Sequence, residues 1–258
     1  MRPDEYGIYA QGLTHRYGAQ TVLAGIELRL APGEFFGFLG QNGAGKSTAI
    51  RALCGFLPPT EGALWVAGVN VIKDPTALRR HIGVVSEDVA LYERLTGREF
   101  LEFAGQMHGL PPGEARHRAC DLMERLELTE AAHRPISGYS LGMKKKTAFA
   151  AALIHTPRVL FLDEPFNGVD TASTRTLCGL LTHLTTSRGV TIFFTSHVLE
   201  MAERLCSRVA ILHGGRIRQE GTLPELKAQA AQQGATLEDI FLQLTGSNTT
   251  TDTALEWF

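Results

Sequence analysis

The chain has 258 residues, of which 44% are hydrophobic, and its formal net charge is −2 at pH 7. This length allows one large domain or two modest ones, and the hydrophobic share is enough for a substantial core. The sequence pI of about 6.5 gives no overall basic field, so a nucleic acid is disfavoured as a partner.

The first five residues, Met1 to Glu5, lack the apolar segment of a signal peptide, and no run of about 18 apolar residues occurs. We therefore expect a cytosolic chain that does not itself span a membrane. The cysteines are Cys54, Cys120, Cys178 and Cys206. They are far apart and form no C-x-x-C pair, which predicts small buried side chains in a reducing compartment.

Residues 6–34 have the alternation of half-exposed strands, and the apolar run Phe35 to Leu39 predicts a buried strand. The next nine residues, Gly40 to Thr48, match the P-loop pattern G-x-x-x-x-G-K-[ST]. Glycines allow backbone N–H groups to surround phosphate oxygens, Lys46 brings a positive charge to the β- and γ-phosphates, and Ser47 offers a hydroxyl to Mg²⁺. We expect the following helix to run from about Lys46 to Leu57 and to be stopped by two prolines.

Residues 62–72 predict a strand pair that joins an antiparallel sheet beside this core, and residues 81–87 predict a strand that runs into a loop. Thr96 and Glu99 form a capping box that begins a helix, and a second helix starts near Gly113. Residues 95–137 therefore predict a small helical insertion. The basic run Lys144 to Lys146 is typical of a solvated helix face.

A helix begins at Ser140, and the apolar run Val159 to Leu162 predicts a buried parallel strand that ends in Asp163-Glu164. After a P-loop, an aspartate here can hold the Mg²⁺ shell, and the next carboxylate can polarise an attacking water. Without a P-loop the same pair would be an ordinary solvated strand end. Another buried strand ends at Ser196-His197.

Near the end of the chain, Gly214-Gly215 predicts a hairpin, and Thr222 to Glu225 is a second capping box. The residues from Thr245 to Phe258 are rich in threonine and predict a frayed end.

Five ordered motifs resemble those of the nucleotide-binding subunits of ABC transporters, most closely the bacterial exporter-type group with ABC-2 permeases. These motifs are Gly40–Thr48, Tyr139–Met143, Leu162–Pro165, Gly168–Asp170 and Thr195–His197. The resemblance covers roughly residues 5 to 230. It implies an α/β fold in which a P-loop NTPase core carries an antiparallel β subdomain and a small α-helical subdomain. The ATPase domain would span 5–235 with its helical insertion at about 95–140, followed at 236–258 by a short C-terminal helix and a frayed tail.

The resemblance also implies roles for matching positions, with ATP as the nucleotide and Mg²⁺ as the metal. The residues implied to hold ATP are Tyr17, Gly40, Gln41, Asn42, Gly43, Ala44, Gly45, Lys46, Ser47, Thr48, Ser140 and Gly142. Tyr17 would stack on the adenine. Ser140 and Gly142 belong to the signature motif, whose helix start would face the γ-phosphate held by a second subunit. The catalytic residues would be Glu164, His197 and Lys46, and the metal residues Ser47, Asp163 and Glu87.

The sequence departs from the family pattern at two places. The signature motif reads Tyr-Ser-Leu-Gly-Met rather than Leu-Ser-Gly-Gly-Gln, a form familiar in the ABC-2 group. A glutamate, Glu87, stands where the family usually has glutamine near Mg²⁺. This substitution leaves its metal role open and favours a role in signalling to the membrane subunit.

The resemblance implies that two chains, either a homodimer or a pair with a second ATPase subunit, enclose ATP and drive a separate membrane permease. The helical insertion and residues Asp88 to Leu95 would dock on that permease, at the inner face of the cell membrane. The alternatives are a soluble ABC ATPase that acts on DNA or ribosomes, a GTPase or kinase, and a silent regulatory subunit. No Asn-Lys-x-Asp guanine motif occurs, and Lys46 and Ser140 lie too close in sequence for an inserted coiled coil. Export is favoured over import, and the cargo stays open.

Overall fold

Two β-sheets form the frame of the protein, and their strand order determines which loops meet. The computed structural model describes residues 2–229 and 236–246. The described strands are β1 (Ile8–Tyr17), β2 (Gln20–Leu30), β3 (Phe35–Gly40), β4 (Glu61–Val66), β5 (Val69–Asn70), β6 (Ile82–Val85), β7 (Val159–Asp163), β8 (Thr191–Ser196), β9 (Arg208–His213) and β10 (Arg216–Thr222).

Most of the described helices lie between these strands along the chain. They are α1 (Lys46–Leu53), α2 (Pro75–Leu78), α3 (Gly97–Met107), α4 (Pro112–Arg125), α5 (Leu141–Leu153), α6 (Thr171–Arg188), α7 (Leu199–Leu205), α8 (Leu223–Gln229) and α9 (Leu237–Thr245). Short 3₁₀ turns occur at Pro3–Glu5, Thr129–Ala131 and Ile136–Gly138. Within the described residues, no helix is both long and apolar enough to cross a membrane.

The first sheet is antiparallel and has the order β2-β1-β4-β5, and the second has the order β10-β9-β3-β8-β7-β6. Strands β9, β3, β8, β7 and β6 are mutually parallel, and β10 closes the edge as an antiparallel hairpin with β9. Parallel strands end at the same edge of a sheet. The loops that follow β3, β8 and β7 are therefore neighbours, and the expected α/β fold with an antiparallel subdomain is confirmed.

The side chains of the central strands alternate between two hydrophobic cores, because successive residues of a strand point to opposite faces. Phe161 and Phe193 pack with α1 and the antiparallel sheet. Leu160 and Phe194 pack on the opposite face with α5, α6 and the helices α3 and α4. Every residue of β3, β7 and β8 is buried, as expected for strands covered on both faces.

The helix after the P-loop is shorter than predicted. It ends at Leu53, four residues before the predicted end, because Gly55 adopts the left-handed conformation with φ 71°. The N–H groups of Phe56 and Leu57 then turn back to the carbonyl of Arg51, which satisfies the last turn. The glycine, and not the two prolines, therefore stops this helix.

The expectation of a solvated lysine face is wrong for two of the three lysines. Lys145 is 2% exposed and Lys146 is 6% exposed. Helix α5 lies between the parallel sheet and the helices α3 and α4, so its buried surface extends around most of its circumference. Three successive helical residues span about 200° and cannot all face solvent on such a helix.

The prediction that all four cysteines are buried is wrong for one of them, and the chain has a helix near its C-terminal end. Cys54, Cys178 and Cys206 are buried as predicted, whereas Cys120 is exposed on α4. Helix α9 begins with a capping box between Thr236 and Asp239. The frayed end was predicted to begin at Thr245, but Thr245 is buried and is the last residue of α9. The predicted domain end at 235 and the rest of the predicted tail, residues 247–258, lie outside the described residues.

Arg208 joins the two sheets at the start of β9. Its Nε donates to Glu34 Oε1 at 2.8 Å, its Nη1 to Glu220 Oε1 at 2.6 Å, and its Nη2 to the Arg29 carbonyl at 2.7 Å. The guanidinium also lies over the ring of Phe36, 5.3 Å from its centroid. The planar donor fork of arginine allows this simultaneous contact with β2, β10, β3 and the turn before β3.

We expect Arg208→Met to lower the free energy of unfolding by about 3 kcal/mol, because it leaves two largely buried carboxylates without their cation. Urea titration followed by circular dichroism measures this change. The control is Arg125→Met, which removes an ion pair to Asp121 whose side chains are 60% and 49% exposed. Such a pair is worth at most about 1 kcal/mol. Equal destabilisation by the two variants would contradict a junction role for Arg208.

Candidate functional site

The P-loop follows β3 and wraps the start of α1. Gly43 and Gly45 take positive φ values of 79° and 110°, which strain any residue with a Cβ. Gly45 is the N-cap of α1 and supplies no side chain to the first N–H groups of the helix. Those donors remain open for an external acceptor, which is the arrangement that binds phosphate oxygens at helix starts.

The buried ammonium of Lys46 lies inside this loop and is 6% exposed. It donates to the carbonyl of Gly40 at 2.7 Å and to that of Gln41 at 3.3 Å. It also forms an ion pair with Glu164, with 3.1 Å between Nζ and Oε1. The structure thus brings the predicted P-loop lysine and the predicted catalytic carboxylate into direct contact.

Glu164 is held between three segments and has a strained backbone. Its φ of 45° lies in the left-handed region, which is uncommon for a residue with a side chain. Its N–H donates to the carbonyl and the hydroxyl of Thr195, at 3.3 Å and 3.2 Å, and its Oε2 lies 3.0 Å from Nδ1 of His197. Left-handed residues of this kind persist where neighbours over-determine them, and they cluster at functional sites.

One oxygen of Glu164 lacks a hydrogen-bond donor. Oε1 is buried and accepts no hydrogen bond from the described residues, although Lys46 compensates its charge. A buried carboxylate oxygen without a donor is costly unless a ligand or water completes its shell. Because Oε1 lies beside the P-loop, it is suited to accept a proton from a water molecule near a bound phosphate.

Asp163, the last residue of β7, is oriented by the neighbouring strand. Its Oδ1 accepts a hydrogen bond from the Thr195 hydroxyl at 2.7 Å, and no hydrogen bond from the described residues reaches Oδ2. One fixed and one open carboxylate oxygen, with the Ser47 hydroxyl on α1, form a donor set that suits Mg²⁺. Among the described residues, no group of three or more His, Cys, Asp or Glu could hold a metal by itself. These residues thus fit a metal that takes its other ligands from phosphate and water.

Tyr17 lies at the end of β1, on the antiparallel sheet, and is 48% exposed. Its ring packs edge-on against His15, with 4.6 Å between ring centroids. His15 is buried and its Nδ1 lies 3.2 Å from the carbonyl of Pro58. An exposed aromatic ring held by a buried neighbour suits stacking on a flat ligand.

The signature residues do not contact the P-loop of their own chain among the described hydrogen bonds and ion pairs. Ser140 is exposed and is the N-cap of α5, where its Oγ accepts from the N–H of Met143 at 3.2 Å. Gly142 is buried, and a Cβ there would lie 2.6 Å from Asp170 Oδ2 and 2.7 Å from Ser173 Oγ. The glycine therefore allows the start of α5 to pack closely against the start of α6.

Glu87 is exposed on the loop after β6. Its Oε1 accepts a hydrogen bond from Asn167 Nδ2 at 3.2 Å, and the N–H of Asn167 donates to the carbonyl of Glu164 at 3.3 Å. The side chain of Glu87 is thus connected to the turn that carries Glu164.

The sequence analysis gave no role at the site to four residues that lie around it: Thr195, His15, Asn167 and Lys145. Thr195 carried a signal, since it is a polar residue next to the Ser196-His197 strand end. Each of the other three acts through a segment distant in the chain, which sequence periodicity does not report.

A comparison with protein-family models matches residues 23–167 to the family described as "ABC transporter". This match covers more than half of the chain. It includes the P-loop, the signature motif and the end of β7.

Two curated relatives have names that refer to antibiotic resistance. The linearmycin resistance ATP-binding protein LnrL of Bacillus subtilis (strain 168) is 39% identical over 219 residues, which are 85% of this chain and 70% of LnrL. The daunorubicin resistance ATP-binding protein DrrA3 of Streptomyces coeruleorubidus is 38% identical over 267 residues, which cover 96% of this chain and 81% of DrrA3.

Two solved structures share the fold over most of their length. The ATP-binding subunit of an ABC transporter superposes with a TM-score of 0.85 at 32% identity, covering 92% of this chain and 98% of that one. A dimeric post-hydrolysis state of the cassette MJ0796, bound to ADP and Pi, superposes with a TM-score of 0.77 at 25% identity, covering 84% and 98%. Since its family model, its relatives and its fold all agree with the geometry of the P-loop, this chain belongs to the ABC transporter family as an ATP-binding and ATP-hydrolysing subunit.

Proposed function

We propose that the chain energises an exporter with an ABC-2-type permease, and that Lys46, Glu164 and His197 carry out its ATP hydrolysis. The observation that carries this proposal is the contact of one carboxylate with both Lys46, at 3.1 Å, and the imidazole of His197, at 3.0 Å. The names of the relatives, which include resistance proteins, support export.

Without nucleotide, Lys46 and Glu164 compensate each other's charge. When ATP is bound, the phosphate oxygens compete for the ammonium of Lys46, which releases Glu164 from the pair. Oε1 can then accept a proton from the attacking water, and Oε2 stays oriented by the N–H and Nδ1 of His197. When doubly protonated, the imidazole, 44% exposed at the rim of the site, would donate from Nε2 to a phosphate oxygen while its Nδ1 donates to Glu164.

Ser47 and Asp163 would hold Mg²⁺, which neutralises charge that develops on the transferred phosphoryl group. The Thr195 hydroxyl fixes one oxygen of Asp163, and the other oxygen would serve as the metal ligand. Glu87 is a further candidate through the oxygen that Asn167 does not occupy.

A second chain would complete each site. The exposed N-terminus of α5, capped by Ser140, has no hydrogen bond or ion pair to its own P-loop among the described residues, and it suits the γ-phosphate of ATP held by a partner. The dimeric state of MJ0796 supports this arrangement. Tyr17 would stack on the adenine of its own chain's ATP. The partner is a second copy of this chain or a paired ATPase subunit.

A groove of about 450 Å³ lies beside the Glu87 loop and suits a cytoplasmic helix of the permease. Its walls include Val89 and Leu91 from the loop, and Phe103 and Met107 from α3. Phe103 is 41% exposed and Met107 is 71% exposed, so apolar surface is open at the rim. Because the loop that lines this groove also contacts the Glu164 turn, docking there would link permease and ATP site. The chain would thereby lie at the inner face of the membrane.

We expect Glu164→Gln to lower kcat for ATP at least about a hundredfold, since the residue loses its ability to accept a proton. The variant should also form dimers with ATP and Mg²⁺ that persist in size-exclusion chromatography with light scattering. The control is Glu61→Gln on the antiparallel sheet, which should behave as wild type. A Glu164→Gln chain that stays monomeric with full activity would refute the proposed mechanism.

Chelation by EDTA should abolish ATP hydrolysis and leave the melting temperature of the nucleotide-free chain unchanged. The reason is that Ser47 and Asp163 supply too few ligands to retain the metal without nucleotide. Differential scanning fluorimetry and a phosphate-release assay test both halves. A melting temperature that falls on chelation would instead indicate a resident structural metal.

We expect Met107→Glu to leave the ATPase activity and the melting temperature of the isolated chain unchanged and to abolish retention by membranes that contain the cognate permease. A charge at the rim of an apolar interface must be desolvated on docking, which weakens binding. The matched control is Ile72→Glu, a similarly exposed apolar residue outside the groove (51% exposed). Co-sedimentation after co-expression measures retention. Normal retention of Met107→Glu would place the permease contact elsewhere.

A further inference from the structure

A second buried lysine lies beside the ATP site, on α5. Lys145 is 2% exposed, and its Nζ donates to the carbonyl of Glu87 at 2.6 Å. The carbonyl of Ser86 lies 3.5 Å from the same atom. The ammonium therefore contacts the main chain of the loop after β6 and not a side chain of that loop.

The charge of Lys145 has no ion-pair partner among the described residues. Burial lowers the pKa of Lys145, and the carboxylates of Glu87, Asp88, Asp163 and Glu164 act in the opposite direction. An apolar side chain of the same length would fill this space without desolvating a charge. Packing alone therefore does not account for a lysine at this position, whereas a charge-assisted hydrogen bond to the loop does.

The two segments that Lys145 connects serve different parts of the proposed mechanism. Ser140, the N-cap of α5, lies five residues and about 7.5 Å along the helix axis from Lys145. The loop is connected to the turn that carries Glu164, because the Glu87 side chain accepts from Asn167, whose N–H donates to the carbonyl of Glu164.

We propose that Lys145 is a positioning residue that fastens the Glu87 loop to α5, so that the loop beside this chain's own ATP moves together with the helix start that faces a second chain's ATP. This inference rests on the proposed two-chain function. It assigns a role to a residue that touches neither nucleotide, and the contact runs through backbone atoms that any residue at 87 would supply.

Lys146 provides a matched control on the same helix. It is also buried, at 6% exposed, but its Nζ pairs with Glu127 Oε2 at 3.0 Å. Glu127 follows α4 and also accepts from the hydroxyl of Thr176 on α6. Lys146 therefore pairs with a residue outside the Glu87 loop. Its substitution shows the effect of removing a buried lysine from α5 without removing the bond to that loop.

The experiment compares wild type, Lys145→Met, Lys145→Arg and Lys146→Met as full-length chains. Hydrogen exchange by mass spectrometry follows the amides of residues 86–92 in the nucleotide-free protein. Steady-state assays with ATP and MgCl₂ give kcat and KM, and thermal melts report stability.

In Lys145→Met, we expect exchange in residues 86–92 to be at least fivefold faster and kcat to fall at least tenfold, with KM for ATP within threefold of wild type. Lys145→Arg should restore both readouts to within threefold, because a guanidinium also donates to two carbonyls. Lys146→Met should melt at a lower temperature and leave loop exchange and kcat unchanged.

Unchanged loop exchange or unchanged kcat in Lys145→Met would overturn the proposal, as would an equal loss of kcat in Lys146→Met. If Lys145→Met does not fold, Lys145→Gln decides the question by the same two readouts. A wild-type chain without ATPase activity would contradict the proposed function, whereas loop exchange would still test Lys145 separately.

Discussion

The ion pair between Lys46 and Glu164 is the contact on which the arrangement of the site depends. It joins the loop after β3 to the end of β7, and β8 lies between these two strands and supplies Thr195 and His197. The left-handed backbone of Glu164 costs roughly 1–3 kcal/mol. Hydrogen bonds from its N–H to Thr195 offset this cost, so the pairing of strands positions the carboxylate before any nucleotide arrives.

The rest of the fold supports this pair from two sides. The antiparallel sheet closes one face of the parallel sheet, and Arg208 fixes the relative position of the two. Helix α5 covers the other face, and its lysines reach outward to the Glu87 loop and to Glu127. Charged side chains thus join the subdomains at their edges, and apolar side chains fill the space between them.

The sequence alone predicted most of the architecture, since local patterns report it: an apolar run before Gly40, a capping box at Thr96, and a strand that ends in Asp163-Glu164. It failed where contacts between distant segments decide the outcome. Lys145 is polar and lies in a basic run, yet its side chain is buried and donates to the carbonyl of Glu87, 58 residues away in the sequence. The end of α1 was misjudged because prolines are conspicuous in sequence, whereas the conformation of Gly55 depends on how the last turn is satisfied.

At residue 87, the backbone and the side chain make different contacts. The backbone carbonyl accepts from Lys145 of α5, and the side chain accepts from Asn167. Since the ammonium of Lys145 donates to a backbone carbonyl, this hydrogen bond does not depend on which side chain residue 87 carries. Glutamate and glutamine at position 87 would therefore leave this fastening of the loop to α5 intact and would differ in the charge that they place beside the ATP site.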